Sequence, residues 1–171
     1  MANAVLISIR PEWVEKILAG EKTLEVRKNR PNMGTPFKCY IYCTNNGGCL
    51  ANRDAYLNGK VVAEFVCDTF LPIQIECNAP AALGDGIEVP GTCLTDRKIL
   101  EYLGNGKRGF AWHISDLVGY DKSKELSEFS RPYEICIGKT CDEYGCAYCE
   151  NGGHIKRPPQ SWCYVEELNN G

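Results

Sequence analysis

The sequence predicts a small α+β fold, mostly β and partly closed into a barrel, with two short flanking helices. Three observations lead there. Six or seven segments alternate apolar and polar residues with the period of a strand. Only "PEWVEKILAG" and "LTDRKILEYLG" show helical spacing with recognisable ends. At 171 residues and 44% hydrophobic content, the chain is long enough for one core of ordinary size.

The elements follow in order. "AVLISIR" alternates, with Val5, Ile7 and Ile9 on one face and Leu6, Ser8 and Arg10 on the other. Pro11 suits a first helical position, Trp13/Ile17 and Val14/Leu18 are spaced one turn apart, and Gly20 can end that helix. "TLEVRK" alternates again, placing Leu24 and Val26 inward and Thr23, Glu25 and Arg27 opposite. "FKCYIYCT" is a third strand. Asn58-Gly59 is a tight-turn pair leading into the strand "KVVAEFVCDTF", and "LPIQIEC" extends or follows it. Residues 78–94 are rich in Gly, Pro and Ala and read as a loop. Thr95 caps the second helix and Gly104 stops it. "RGFAWHISDL" is a strand with Phe110, Trp112 and Ile114 on one face, "YDKSKELSEF" a polar connection, "RPYEICIG" a further strand, and "QSWCYVEEL" the last. Residues 1–171 are expected to form a single domain, with a cysteine-rich loop at about 136–157 inserted before the last strand.

Charge and composition exclude several classes. No apolar run is long enough to span a bilayer, and "MANAVLISIRPEW" reads as a strand rather than a signal peptide, so a cytoplasmic protein without membrane attachment is expected. There is no GxGxxG, P-loop or GxSxG pattern. A net charge of −3 and a pI near 5.5 argue against broad nucleic-acid binding. The charge is uneven, however. Residues 1–40 hold seven Lys/Arg against four Glu, net +3, and the rest carries net −6.

Eleven cysteines, an odd number, point to thiols or metal ligands rather than a disulfide framework. Cys39, Cys43 and Cys67 fall on apolar strand faces and read as small buried hydrophobes. Cys141, Cys146, Cys149 and His154 lie within fourteen residues, Cys146 and Cys149 forming a CxxC. That set suits a structural zinc, with Cys136 able to replace His154. The alternatives are free thiols in an exposed loop or a Cys146–Cys149 disulfide.

Lys22, Glu25 and Arg27 stand together where the first helix gives way to a strand. Taken alone they read as a solvated face whose pairs are worth little. The run Gly20–Arg27, however, matches GxKxxExR. With "ISIRPEWVEKILAGEKTLEVRKNRP", "TPFKCYIYCT", "KVVAEFVCD", "GFAWHISDL" and "RPPQSWCYVEEL", it resembles the ASCH domain of the PUA-like superfamily, of the kind common in Firmicutes and their prophages.

The resemblance implies a five- or six-stranded barrel with a helix beside it and a cleft bordered by the motif. It also implies binding of RNA or a modified nucleoside. Arg10, Lys22, Glu25, Arg27 and Glu64 are the candidate ligand-binding residues. A related branch hydrolyses N4-acetylcytidine with a Lys and a Thr; Lys22 matches the Lys, but Glu25 stands where the Thr would be. The alternative reading is therefore a small amidohydrolase or RNA hydrolase using Lys22 and Glu25. A third possibility is an accessory protein acting on a host protein. With Lys22 in a turn and Glu25 and Arg27 on the face opposite the core residues Leu24 and Val26, removal of the trio is expected to damage function and spare the fold. Glu64, flanked by Val62 and Val66, reads first as a structural carboxylate, Trp112 and Trp13 as core residues, and His113 as a surface histidine.

Overall fold

The structure is a computed structural model and describes residues 3–45, 58–75, 86–132 and 153–168. In order it contains β1 (Asn3–Ile9), α1 (Pro11–Leu18), β2 (Leu24–Arg27), β3 (Phe37–Cys43), β4 (Lys60–Cys67), β5 (Phe70–Gln74), β6 (Glu88–Val89), β7 (Leu94–Thr95), α2 (Asp96–Leu103), β8 (Arg108–His113), β9 (Ser115–Lys124), a short 3-10 turn (Leu126–Glu128) and β10 (Trp162–Glu166). The fold is α+β and dominated by strands, as the alternation predicts. The strands form sheets of five, three and two. Contacts divide the chain into two compact units, Met1–Val14 with Phe37–Phe65 and Leu117–Gly171, and Glu15–Pro36 with Val66–Asp116.

The first unit is organised around the five-stranded sheet, in the order β10-β1-β3-β4-β9. β1 pairs in parallel with β3, Val5 opposite Cys39, and antiparallel with β10, Ala4 opposite Val165. Its alternation suggests one polar face, but Ala4 through Ile9 are all buried. A strand with neighbours on both sides and packing on both faces leaves no solvent side. Ala4 and Leu6 join Tyr40, Tyr42, Val61, Phe129, Ile155 and Val165 in one core cluster. The buried Ser8 hydroxyl donates to the Pro159 carbonyl at 2.7 Å, which removes the cost of placing it there.

Two expectations need correction. "YDKSKELSEF" is not merely a connection: β9 runs ten residues through Lys124. It is an edge strand whose side chains stay largely in solvent, so its composition reads as polar although its backbone is paired. Residues 78–94 are not all loop, because β6 and the first residue of β7 pair there, Val89 opposite Leu94. Most of "RPYEICIG" and of the cysteine-rich loop lies outside the described residues. Cys39, Cys43 and Cys67 are buried, as expected, and burial pushes the Cys67 thiol up to about 12, which makes it a poor nucleophile.

The second unit holds the three-stranded antiparallel sheet β2-β8-β5. Its register sets Glu25 opposite Trp112, Arg27 opposite Phe110 and Phe70 opposite Trp112. Cross-strand partners share a face. One face therefore carries Val26 and Ile73, which pack with Ile99 and Leu103 of α2. Burying Ile99 and Leu103 contributes about 1.5–3 kcal/mol each. The approach of α2 requires Gly109, since a Cβ there would lie 2.6 Å from a Leu103 methyl. Thr95 caps α2 by accepting from the Lys98 N–H, and Gly104 ends it at φ 99°. The other face carries Glu25, Arg27, Phe110, Trp112 and Phe70.

Candidate functional site

The end of α1 places Lys22. Gly20 takes a left-handed φ of 76°, and the N–H groups of Glu21 and Lys22 both donate to the Lys16 carbonyl, at 2.9 and 3.0 Å. This fastens the helix C-terminus in the manner a glycine stop permits. The next two N–H groups, of Thr23 and Leu24, donate to a single acceptor, the Gly91 carbonyl, at 2.9 and 2.8 Å. Gly91 sits at φ 75°, and a Cβ on it would come within 2.7 Å of the Thr23 hydroxyl oxygen. Only glycine allows so close an approach. The loop after Gly91 is tightened by Thr92, whose hydroxyl donates to the Val89 carbonyl at 2.8 Å and accepts from the Leu94 N–H at 3.0 Å.

Lys22, Glu25 and Arg27 form one linked set. Lys22 Nζ donates to the Leu24 and Thr92 carbonyls at 2.8 and 2.7 Å and lies 3.3 Å from Glu25 Oε2. Glu25 Oε1 lies 3.0 Å from Arg27 Nη2. The three residues are only 2%, 7% and 8% exposed. This corrects the expectation of a solvated face. The face opposite Val26 is itself an interior one, and Trp112, cross-strand neighbour of Glu25, is fully buried there. Buried ion pairs recover their desolvation only with good geometry and further hydrogen bonds, and Lys22 has both. The cluster is therefore expected to be costly to disturb, against the expectation that removing Lys22 would spare the fold.

The remaining candidates fall elsewhere. Arg10 and Glu64 belong to the first unit, and the trio to the second. Arg10 is exposed, and its carbonyl accepts from the N–H groups of Trp13 and Val14 at the start of α1. Glu64 is engaged on both oxygens: Oε1 lies 3.3 Å from Lys38 Nζ, and Oε2 accepts from the Tyr120 hydroxyl at 2.5 Å. Lys38 also reaches Glu167 at 3.1 Å. Desolvation, reinforced by the hydrogen bond to Glu64, pushes the Tyr120 hydroxyl far above its usual value. These contacts favour the structural reading of Glu64. Trp112 is a core residue, as expected, and Trp13 is half-buried.

His113 is a partly exposed residue whose Nδ1 lies 2.7 Å from Asp68 Oδ1; this hydrogen bond lowers the Asp68 carboxyl. His154 is exposed, with Nδ1 at 3.2 Å from the Ser130 hydroxyl. Cys136, Cys141, Cys146 and Cys149 lie outside the described residues. Among the described residues no group of three or more His, Cys, Asp or Glu is arranged to hold a metal.

Sequence reasoning missed the support that Gly91 and Thr92 give to Lys22. Thr92 acts through its carbonyl, which leaves no mark on residue type; the one available signal was a glycine inside the Gly/Pro-rich stretch. It also missed the neighbours Phe70, Phe110 and Arg30, which needed the β2-β8-β5 register to be seen together.

The motif, its helix and its strand lie inside residues 7–63, which match the family model of the ASCH domain. Over that segment the chain is similar to the ASCH family. Solved structures agree in fold. The crystal structure of ASCH from Zymomonas mobilis is similar at a TM-score of 0.57 and 16% identity, covering 96% of this chain and 88% of that one. A Tyr-to-Phe variant of the same protein gives 0.58 at 16% identity, covering 96% and 91%, and a Ser-to-Ala variant 0.57 at 14%, covering 96% and 89%. No curated protein matches the chain. The likeness in fold thus extends well beyond the matched segment. No helix among the described residues is long and apolar enough to cross a membrane.

Proposed function

We propose that this ASCH-like domain binds RNA or a modified nucleoside through the set Lys22, Glu25 and Arg27. The observation that carries the reading is the junction of buried Lys22 with Glu25 and Arg27, the latter two on one buried strand face with Trp112 and Phe110. A core of that size is more cheaply filled with apolar residues, so a buried ionic set is a candidate for function. A guanidinium suits phosphate or a polarised carbonyl, a carboxylate suits the donor edge of a base, and aromatic neighbours suit a π-face. Lys22 acts here chiefly by holding Glu25, since its ammonium already meets two carbonyls and that carboxylate.

The test is binding of a labelled short single-stranded RNA, and of free modified nucleosides, to wild type and Arg27→Gln. Loss of one charge-assisted contact should weaken binding about tenfold or more. RNA affinity should fall with salt with a slope reflecting about two to four phosphate contacts. Unchanged binding in folded Arg27→Gln would remove the set from the site.

The second reading is a hydrolase of acylated nucleosides or RNA, and the 3.3 Å Lys22–Glu25 contact favours it. There Glu25 would take a proton from water as it attacks. Glu25→Gln separates the readings. It keeps shape and an acceptor, so binding should persist in part, while general-base hydrolysis should fall by about a hundredfold or more.

A further inference from the structure

Arg30 lies just beyond β2 and is exposed. Its guanidinium carbon stands 5.4 Å from the ring centres of both Phe70 and Phe110, whose planes are inclined at 72°. It thus sits in the corner between two aromatic rings. Among the described residues it forms no ion pair. Phe110 is the cross-strand partner of Arg27 and Phe70 that of Trp112, so this corner continues the face that bears Glu25 and Arg27.

Two aromatic contacts restrict a guanidinium without using its N–H groups, because cation–π attraction engages the charge and not the donors. An exposed arginine usually loses side-chain freedom when it binds an anion. Arg30 has given up part of that freedom already, and its fork of donors remains for a planar or tetrahedral oxyanion. Phe110 adds an apolar ring beside that position, against which a base or sugar can rest.

We infer that Arg30, seated on Phe70 and Phe110, is a phosphate-reading subsite that receives a nucleotide phosphate next to the group held at Glu25 and Arg27. This rests on the RNA or nucleoside reading of that neighbouring set. The phosphate can belong to a free nucleotide or to the backbone of a single strand.

The experiment measures affinity of wild type, Arg30→Gln, Arg30→Lys and Phe110→Leu. The probes are adenosine, adenosine 5′-monophosphate, a short single-stranded RNA, and the same RNA with uncharged methylphosphonate linkages. Arg30→Gln should weaken the charged RNA about tenfold, lower its salt slope by about one phosphate, and leave adenosine and the uncharged strand unchanged. Arg30→Lys should restore the slope but only part of the affinity, and Phe110→Leu should resemble it. Weakening of the monophosphate as well would assign the phosphate to a free nucleotide, and weakening of the RNA alone would assign it to a backbone.

Equal affinity and salt slope in Arg30→Gln and wild type would overturn the subsite while leaving the Arg27 reading intact. Binding lost in Arg30→Gln but kept in Arg27→Gln would keep the subsite and overturn that reading. Weakening of adenosine and RNA alike would also overturn the subsite, by showing that Arg30 merely braces the fold.

Discussion

Thr92 and Lys22 are separated by 70 residues in sequence and joined by a 2.7 Å hydrogen bond from the Lys22 ammonium to the Thr92 carbonyl. Through it the loop between β6 and β7 holds the first residue of the charged set. The site is thus tied to a backbone atom of a segment that contributes no charged side chain to it.

This predicts that Lys22→Met costs stability before it costs function. The side chain keeps its length, but the Thr92 and Leu24 carbonyls and Glu25 all lose a donor in a buried place. Breaking a buried pair on one side costs about 3–5 kcal/mol, to be read from the urea midpoint. A loss below about 1 kcal/mol, the scale of an exposed change, would show that the ammonium is served by water.

Gly91→Ala should destabilise by about 1–3 kcal/mol, through an unfavourable positive φ and the collision with Thr23. Combining it with Thr23→Ala should recover the steric share and leave the backbone share. Thermal melting of the four proteins in this cycle measures both, and a Gly91→Ala melting temperature equal to wild type would contradict the close approach.

The Asp68–His113 contact has a pH signature. The hydrogen bond from His113 holds the Asp68 carboxyl below its ordinary value of 3.8. A depressed folded value means that the contribution to stability is complete above the ordinary value and is lost as pH falls through the lowered one. In His113→Gln the carboxyl should titrate closer to its ordinary value, followed by carbon NMR of the Asp68 side chain. No upward movement would assign the lowering to other neighbours.

The proposed zinc clip at Cys141, Cys146, Cys149 and His154 predicts about one zinc per chain and a lower melting temperature after chelation. With the Ser130 hydroxyl at His154 Nδ1, Nε2 would be the nitrogen to meet such a zinc. His154→Ala should then lower zinc affinity, unless Cys136 takes its place, which Cys136→Ser on the same background would expose. Metal-free protein with unchanged melting, or a Cys146–Cys149 disulfide found by mass, would dispose of the clip.

By itself the sequence determined the local elements around the motif: the helix from Pro11, its stop at Gly20, the β2 alternation and the capped helix from Thr95. These depend on residue type and spacing within a few positions, which the chain carries wherever it folds. It also brought Lys22, Glu25 and Arg27 to notice, because their spacing is itself a pattern. Only the tertiary structure decided that they are buried and linked, that Thr92 and Gly91 support them, and that Arg30 meets Phe70 and Phe110. Alternation says which residues share a face but not what lies against it, and a carbonyl acceptor or a cross-strand register is set by long-range pairing that no single residue type records.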